Sequence, residues 1–575
     1  MTGACSYTSG TSDQPLLYRT VDQVLLAAVA GGPDRLALVF AHQGLRYTFA
    51  EFHREVEEVA RGFLGAGLKP GDRIGIWAPN CAEWLLTMFG AARTGLILVN
   101  INPAYRASEL EFALRNSGCR ALVYTPRFKS SDYVSMLRTL VPELSSYNPS
   151  GNATAASDAG ARALRSPLLP ELRLLIHVGT EPIHGSMTFA NVKALGARVD
   201  ASELAKIAQQ SSADDLFNIQ FTSGTTGTPK GATLTHFNIV NNGFFIGAGM
   251  RLTDRDRICI PVPLYHCFGM VLGVLAAMTH GAAGIFPCDA FEPLAVLQSV
   301  QQESCTALHG VPTMFIAELD HPRFREFDLT SLRTGIMAGS PCPIAVMQRV
   351  LSEMHMPEVT ICYGMTETSP VSFQSNWNDP LERRVSTVGK VHPHVQVKLV
   401  DADGRITPRG VPGEILTRGY SVMRGYWNDP ERTREVIDEA GWMHTGDLGV
   451  LDEEGYCSIV GRAKDMIIRG GENVYPREIE EFLYNHPKVL DVAVVGVPDP
   501  KYGEEVCAVI RLRDGLSAEP NEIIDFCRGR IAHYKVPRYV RFVHAFPLTV
   551  TGKVQKYLIR QQLRQELGLQ EERTA

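Results

Sequence analysis

Between Thr48 and Tyr124 the hydrophobic positions change period repeatedly. Phe52, Val56, Val59 and Phe63 recur at helical spacing behind a Thr48-x-x-Glu51 capping pattern, which predicts a helix to about Gly65. Apolar runs at Arg73 to Trp77, Leu96 to Asn102 and Ala121 to Tyr124 are short enough for buried strands. Between them, a helix is expected from about Asn80 to Arg93, and a second one opened by Ser108-x-x-Glu111. Strand and helix in alternation is the rhythm of an open α/β sheet. Further strands are expected at Leu174 to Val178, Leu216 to Phe221, Arg257 to Val262 and Thr306 to Leu308.

The rhythm breaks twice. Residues 145–166 are rich in Ser, Gly, Ala and Asn and have no apolar period, so a surface loop or insertion is expected there. From Lys464 onward the pattern becomes a shorter α+β one. It has a helix at Pro476 to Tyr484, strands at Val489 to Val497 and Val506 to Leu512, and helices near Asn521 to Ile531 and from Gln555. The expected architecture is therefore α/β, with a large layered domain over residues 1–463 and a small α+β domain over 464–575, divided at Arg462 to Asp465. The charged tail after Leu567 is expected to fray.

At 575 residues and 45% apolar composition the chain can bury more than one core. The 56 Lys and Arg against 62 Asp and Glu leave a net charge of -6, which argues against nucleic acid as a partner. The 12 cysteines include no C-x-x-C pair, so buried thiols are expected rather than a disulfide framework or structural zinc. Phe268 to Met278, the longest strongly apolar stretch, is too short to cross a bilayer. The first 18 residues hold neither Lys nor Arg, so no Arg-rich transit peptide is visible, and the sequon at Asn152 is read as a coincidence.

The candidate chemistry starts at Thr222-Ser223-Gly224-Thr225-Thr226-Gly227-Thr228-Pro229-Lys230-Gly231. Glycines let backbone N–H groups converge on an anion, the hydroxyls add donors, and Lys230 adds charge, a combination suited to a polyphosphate. It is not a Walker loop, because Pro229 and Gly231 flank the lysine. Taken alone, such a string also makes a surface turn.

Downstream come Tyr363-Gly364-Met365-Thr366-Glu367, Thr445-Gly446-Asp447, Gly461-Arg462-Ala463-Lys464-Asp465 with Gly470-Gly471-Glu472-Asn473, and Thr551-Gly552-Lys553. This ordered set resembles the adenylate-forming superfamily of acyl-CoA synthetases, luciferases and peptide-synthetase adenylation domains, from about Thr48 to Arg560. Pro263-Leu264-Tyr265-His266-Cys267, Ala338-Gly339-Ser340-Pro341 and Lys464 to Asn473 are similar to its mitochondrial medium-chain fatty acyl-CoA ligases.

The resemblance implies an enzyme that joins a fatty acid to CoA in two steps, with ATP, Mg²⁺ and CoA as cofactor and co-substrates. By it, Thr222 to Lys230 hold the β- and γ-phosphates, Thr366 contacts the α-phosphate and Glu367 helps place Mg²⁺. Gly339, Ser340, Pro341, Tyr363 and Gly364 form the adenine pocket, Asp447 binds the ribose, and Arg462 reaches ribose or phosphate. Lys553 bridges carboxylate and α-phosphate, His266 gates the acyl pocket beside Val311 to Phe315, and Lys464 is the hinge on which the small domain rotates.

Read without the resemblance, Tyr363 suits a core aromatic, His266 a structural histidine, Asp447 a turn residue, Arg462 a surface ion-pair partner and Lys553 a solvated turn lysine. The resemblance also implies the mitochondrial matrix, with the cytoplasm as the alternative. Two other readings remain open: an adenylating enzyme with another carboxylate or acceptor, and a nucleotide-binding pseudoenzyme.

Overall fold

The computed structural model describes residues 4–145, 164, 166–222, 229–340, 342–469, 472–499, 501–548 and 554–567. Nearly all of the expected insertion, and the tail after Leu567, lie outside them.

Two large sheets share one core. The first has eight strands in the order Met187–Thr188, Leu174–His177, Ala121–Tyr124, Arg73–Trp77, Ile97–Asn100, Leu216–Thr222, Lys230–Thr235 and Gly425–Tyr426. The second has nine, running from Lys390–Val391 through Val371–Gln374, Glu358–Gly364, Thr334–Ala338, Ala307–Gly310, Arg257–Cys259, Ala283–Phe286 and Leu36–Phe40 to Leu45–Thr48. Their centres are parallel and buried on both faces, so the strands read as continuous apolar runs. Ile74, Ile76 and Leu98 of the first sheet and Leu38, Ile258 and Ile336 of the second belong to one buried cluster.

Helices fill that cluster. In Phe49–Gly65, Thr48 Oγ1 accepts the Glu51 N–H at 3.2 Å and the Glu51 carboxylate accepts the Thr48 N–H at 2.8 Å. Phe52, Val56, Val59 and Phe63 form its buried stripe. Every residue of Ala82–Arg93 except Glu83 is buried, as expected of a helix apolar on all sides. Trp84, Leu85 and Phe89 each contribute about 1.5–3 kcal/mol by burial. Its one buried cation, Arg93, pairs with Asp22 at 2.9 Å and Glu57 at 3.0 Å.

Several expectations need adjustment. The helix expected from Ser108 is Ala107–Ser117, and the returning carboxylate is Glu109, which accepts the Arg106 N–H at 2.8 Å. A turn closed by Tyr105 N–H on Asn102 O at 3.0 Å sets the chain's entry, and this makes Arg106 the cap. The strand expected to reach Val262 ends at Cys259, although Ile260 N–H still bonds Ile285 O at 2.8 Å. Beyond it Asn80 takes over, donating to Val262 O at 3.0 Å and accepting from Leu264 N–H at 2.8 Å, which turns the backbone into a loop. The apolar run that follows forms a π-helix, Phe268–Leu275, continued by Ala276–His280.

A third sheet, Tyr7–Ser9, Val395–Val400, Gly413–Gly419, Met443–Leu451 and Cys457–Arg462, is antiparallel. The residues beyond it form a separate five-stranded sheet of Glu472–Val474, Ile467–Arg469, Gly503–Leu512, Val489–Asp499 and Tyr539–Phe542. Helices Pro476–Leu483, Pro520–Cys527 and Lys556–Leu567 accompany it. Its buried residues, among them Ile467, Val494, Val506 and Ile510, form a core of their own. Among the described residues no helix is long and apolar enough to cross a membrane. None of the 12 cysteines, all of them among the described residues, forms a disulfide, and 10 are buried.

Candidate active site

Motif residues from the first three sheets meet: Thr222 of the first bonds Glu367, which follows a strand of the second, and Tyr363 of the second bonds Asp447 of the third. Thr222 closes strand Leu216–Thr222 and lies opposite Lys230 in the antiparallel ladder, so the string between them is a connection between adjacent strands. Ser223 to Thr228 of that string lie outside the described residues, as do Pro341 and Lys553.

Strand Gly425–Tyr426 pairs with the far side of Lys230–Thr235, setting Tyr426 opposite Ala232. Residues two apart on a strand share a face, so Tyr426 and Lys230 are diagonal neighbours. The lysine Nζ stands 5.0 Å from the tyrosine ring centroid.

Glu367 lies in a short turn after strand Glu358–Gly364 and is buried. Its Oε1 accepts hydrogen bonds from Tyr426 Oη at 3.0 Å and Thr222 Oγ1 at 3.2 Å. Burial and the facing carboxylate push the Tyr426 phenol far above its ordinary range, so it stays protonated as a donor. The partners of Oε1 in these bonds are hydroxyls rather than a cation, and a set of oxygens suits a hard metal ion. Among the described residues no group of three or more His, Cys, Asp or Glu could hold a metal ion.

Four residues before Glu367, Tyr363 Oη donates to Asp447 Oδ2 at 2.7 Å. Asp447 Oδ1 lies 3.1 Å from Arg462 Nε, its partner across the ladder. Asp447 reaches this position through a bulge. The register slips between Glu414 and Leu416, and Gly446 takes φ 70°, a conformation glycine adopts without cost. Gly364 is also required, since a Cβ there would come within 1.7 Å of Pro370 O. Burial first and Asp447 second hold the Tyr363 phenol well above its usual value. Ala338 pairs with Cys362, so Gly339 and Ser340 emerge beside Tyr363, both exposed.

His266 sits in the loop that Asn80 shapes. Its Nδ1 accepts the Phe268 N–H at 3.2 Å, and Asn100 Nδ2 holds the preceding carbonyl, Tyr265 O, at 3.0 Å. Asn100 accepts in turn from Asn218 at 2.9 Å, and Asn218 from Gln220 at 2.8 Å, in a buried amide ladder two residues from Thr222. Cys267 Sγ stands 3.8 Å from Thr366 Oγ1, joining the His266 loop to the Thr366–Glu367 turn. Lys464 lies exposed in the turn Ala463–Asp465, where Arg560 donates to its carbonyl at 3.2 Å and pairs with Asp465 at 3.2 Å.

The structure thus brings together Thr222, Lys230, Thr366 and Glu367 as one group and Tyr363, Asp447 and Arg462 as another, the two linked through the segment Tyr363 to Glu367. Sequence reasoning missed Tyr426, Asn100, Asn218 and Arg560. No local spacing signals them, because their roles come from strand pairing and from partners more than 50 positions away.

The model of the AMP-binding enzyme family matches residues 25–427, and that of the AMP-binding enzyme C-terminal domain matches residues 478–553. A zebrafish (Danio rerio) protein described as medium-chain acyl-CoA ligase ACSF2, mitochondrial, is 48% identical over 98% of this chain and 91% of its own length. The putative acyl-CoA synthetase YngI of Bacillus subtilis is 47% identical over 95% of this chain and 97% of its own. Among solved structures, the anthranilate CoA ligase AuaEII bound to anthranoyl-AMP superposes with a TM-score of 0.84 at 26% identity, covering 97% of this chain and 99% of that one. The fold is accordingly the adenylate-forming one, with a large N-terminal and a small C-terminal domain. With the family's two models matched in order and relatives of this identity along nearly its whole length, the chain belongs to the AMP-binding enzyme family.

Proposed function

We propose that the chain is an AMP-forming fatty acid:CoA ligase acting on medium-chain acids. In the first step a carboxylate oxygen attacks the α-phosphorus of ATP, the bond to the β-phosphate oxygen breaks, and pyrophosphate leaves. In the second the CoA thiol, giving up its proton, attacks the acyl carbonyl and AMP departs. The observation that carries this reading is the pair of carboxylate centres linked through the segment Tyr363 to Glu367: Glu367 met by two hydroxyls, and Asp447 held between Tyr363 and Arg462.

The division of labour follows from the chemistry. Lys230 and the hydroxyls of Thr222 to Thr228 offset charge on the β- and γ-phosphates, and Thr366 donates to the α-phosphate. Mg²⁺, which Glu367 would hold together with phosphate oxygens, supplies further neutralisation of the leaving group. Asp447 has lone pairs beyond those engaged by Tyr363 and Arg462, enough to accept from ribose hydroxyls. Gly339, Ser340, Pro341, Tyr363 and Gly364 frame the adenine. Lys553 stabilises charge passing between carboxylate and α-phosphate. It must then withdraw for the thiol to enter, and a small domain divided from the large one at Arg462 to Asp465, turning at Lys464, provides that movement. His266 would gate the acyl pocket beside Val311 to Phe315, where each buried methylene of an alkyl chain would contribute about 0.8 kcal/mol. The names of the zebrafish and other ACSF2 relatives support the medium-chain and mitochondrial parts of this reading.

The test is ATP/pyrophosphate exchange without CoA, driven by saturated fatty acids of increasing length with an amino-acid control. Exchange peaking at a medium chain length is expected. Exchange driven only by the amino acid, or by no carboxylate while ATP still binds, would overturn the reading.

A further inference from the structure

Asp447 meets Tyr363 and Arg462 at a place where its strand falls out of step with a neighbour. Across the ladder Thr417 faces Met443 and Leu416 faces His444, and the pairing resumes with Glu414 opposite Leu448. Thr445, Gly446 and Asp447 therefore stand against the single residue Ile415. Such a bulge takes backbone N–H groups out of the ladder, and each then needs another acceptor.

Glu414 and Ile415 supply the replacements. Gly446 N–H donates to Glu414 Oε1 at 3.1 Å and His444 Nδ1 to Glu414 Oε2 at 3.0 Å, so one carboxylate grips the chain at two points two residues apart. Thr445 Oγ1 donates to Ile415 O at 2.8 Å and accepts the Asp447 N–H at 3.1 Å. With the chain so held, Gly446 turns at φ 70°, Asp447 Oδ2 accepts from Tyr363 Oη at 2.7 Å, and Oδ1 lies 3.1 Å from Arg462 Nε. Glu414 is half-buried, and the reaction above gives it no part. Its charge type matters, because a carboxylate offers an acceptor oxygen to each of the two donors. An amide of the same shape has one acceptor oxygen and turns its NH₂ toward the other donor.

We propose that Glu414 is a positioning residue for nucleotide recognition: by holding His444 and Gly446 it fixes the bulge that presents Asp447 to the ribose hydroxyls, and so sets the preference for a ribonucleotide. The proposal rests on the reading in which Asp447 accepts from those hydroxyls.

The experiment is pyrophosphate exchange by the whole chain at limiting nucleotide, with ATP and, separately, with 2′,3′-dideoxyATP, which lacks both hydroxyls. Wild type is expected to favour ATP by about tenfold or more, the worth of a hydrogen bond to a charged group. Glu414→Gln should lower exchange with ATP about tenfold and exchange with the dideoxynucleotide by less than about twofold. His444→Ala, which frees one carboxylate oxygen, should act in the same direction by about threefold. A merely structural role would lower both nucleotides by one factor, through the amount of folded enzyme. Equal lowering of the two, or an unchanged preference for ATP in Glu414→Gln, overturns the proposal. Should Glu414→Gln lower the melting temperature, His444→Ala decides alone, and an unchanged preference there counts against the proposal. Exchange in wild type that is the same with both nucleotides would overturn the ribose role of Asp447 and this proposal with it. No exchange in wild type with either nucleotide would instead overturn the adenylation reading.

Discussion

Replacing Tyr426 by Phe removes one oxygen and leaves the ring in place. That oxygen donates to Glu367 Oε1 at 3.0 Å inside a buried site, and Thr222 at 3.2 Å is the other hydroxyl on the same atom. A hydrogen bond to a charged group is worth about 1.5–3 kcal/mol, so pyrophosphate exchange at limiting MgATP should fall by about 10- to 150-fold. The loss should appear mainly in the dependence on MgATP concentration, because a carboxylate freed on one side no longer presents a fixed oxygen to the metal–phosphate group. Tyr426→Leu also removes the surface beneath Lys230, and with a cation–π contact worth about 0.5–1 kcal/mol it should cost a further two- to fivefold or so. The assay is exchange against MgATP at a fixed saturating fatty acid, with the melting temperature measured in parallel. Exchange in Tyr426→Phe within about twofold of wild type, or a loss that tracks a fall in melting temperature, would refute the idea that this hydroxyl orients Glu367.

Three further outcomes are expected. Lys553→Ala should lower adenylation on the order of 10²-fold, the usual cost of one transition-state charge stabiliser, while thioester formation from supplied acyl-adenylate survives; near wild-type exchange would remove the lysine from the reaction. Lys464→Pro should keep exchange and lose thioester formation, which quenched-flow assay of each half-reaction reads directly, and equal loss of both would dismiss Lys464 as the hinge. Burial lowers His236 and His392 to about 3 and His309 to about 4, against 6.5 for the free side chain. These histidines are neutral when folded and protonate when unfolded. Their contribution is therefore fully present above about pH 6.5 and is lost as pH falls toward the folded values, by about 1.4 kcal/mol per pH unit for each. His236 accepts the Val21 N–H through Nδ1 at 3.1 Å, and His236→Gln should flatten the slope of stability against pH between pH 6 and 4.5 by up to about 1.4 kcal/mol per pH unit, whereas an unchanged slope would show that this histidine does not titrate with unfolding.

What the chain declares about itself is local. Thr48 and Glu51 close their capping box within one turn, and Arg73 to Trp77 and Ala121 to Tyr124 run as strands where their apolar runs lie, because period and cap chemistry act over a few residues. The ordered motifs were legible for the same reason, each being a short string whose residue types match one chemical task. The cap at Ser108 misled because a returning carboxylate serves whichever N–H the preceding turn exposes, and that turn is set by Asn102 and Tyr105. Tyr426 lies 59 positions from Glu367, Asn100 165 from Tyr265, and Arg560 96 from Lys464. Such partners meet only when sheets pair and pack, so no window of sequence contains both. Sequence determined which side chains could hold phosphate, ribose and metal. The tertiary structure decided which hydroxyls orient Glu367, how a bulge at Gly446 delivers Asp447 to Tyr363, and that Glu414 holds that bulge, because those are properties of register and closure across strands rather than of neighbours along the chain.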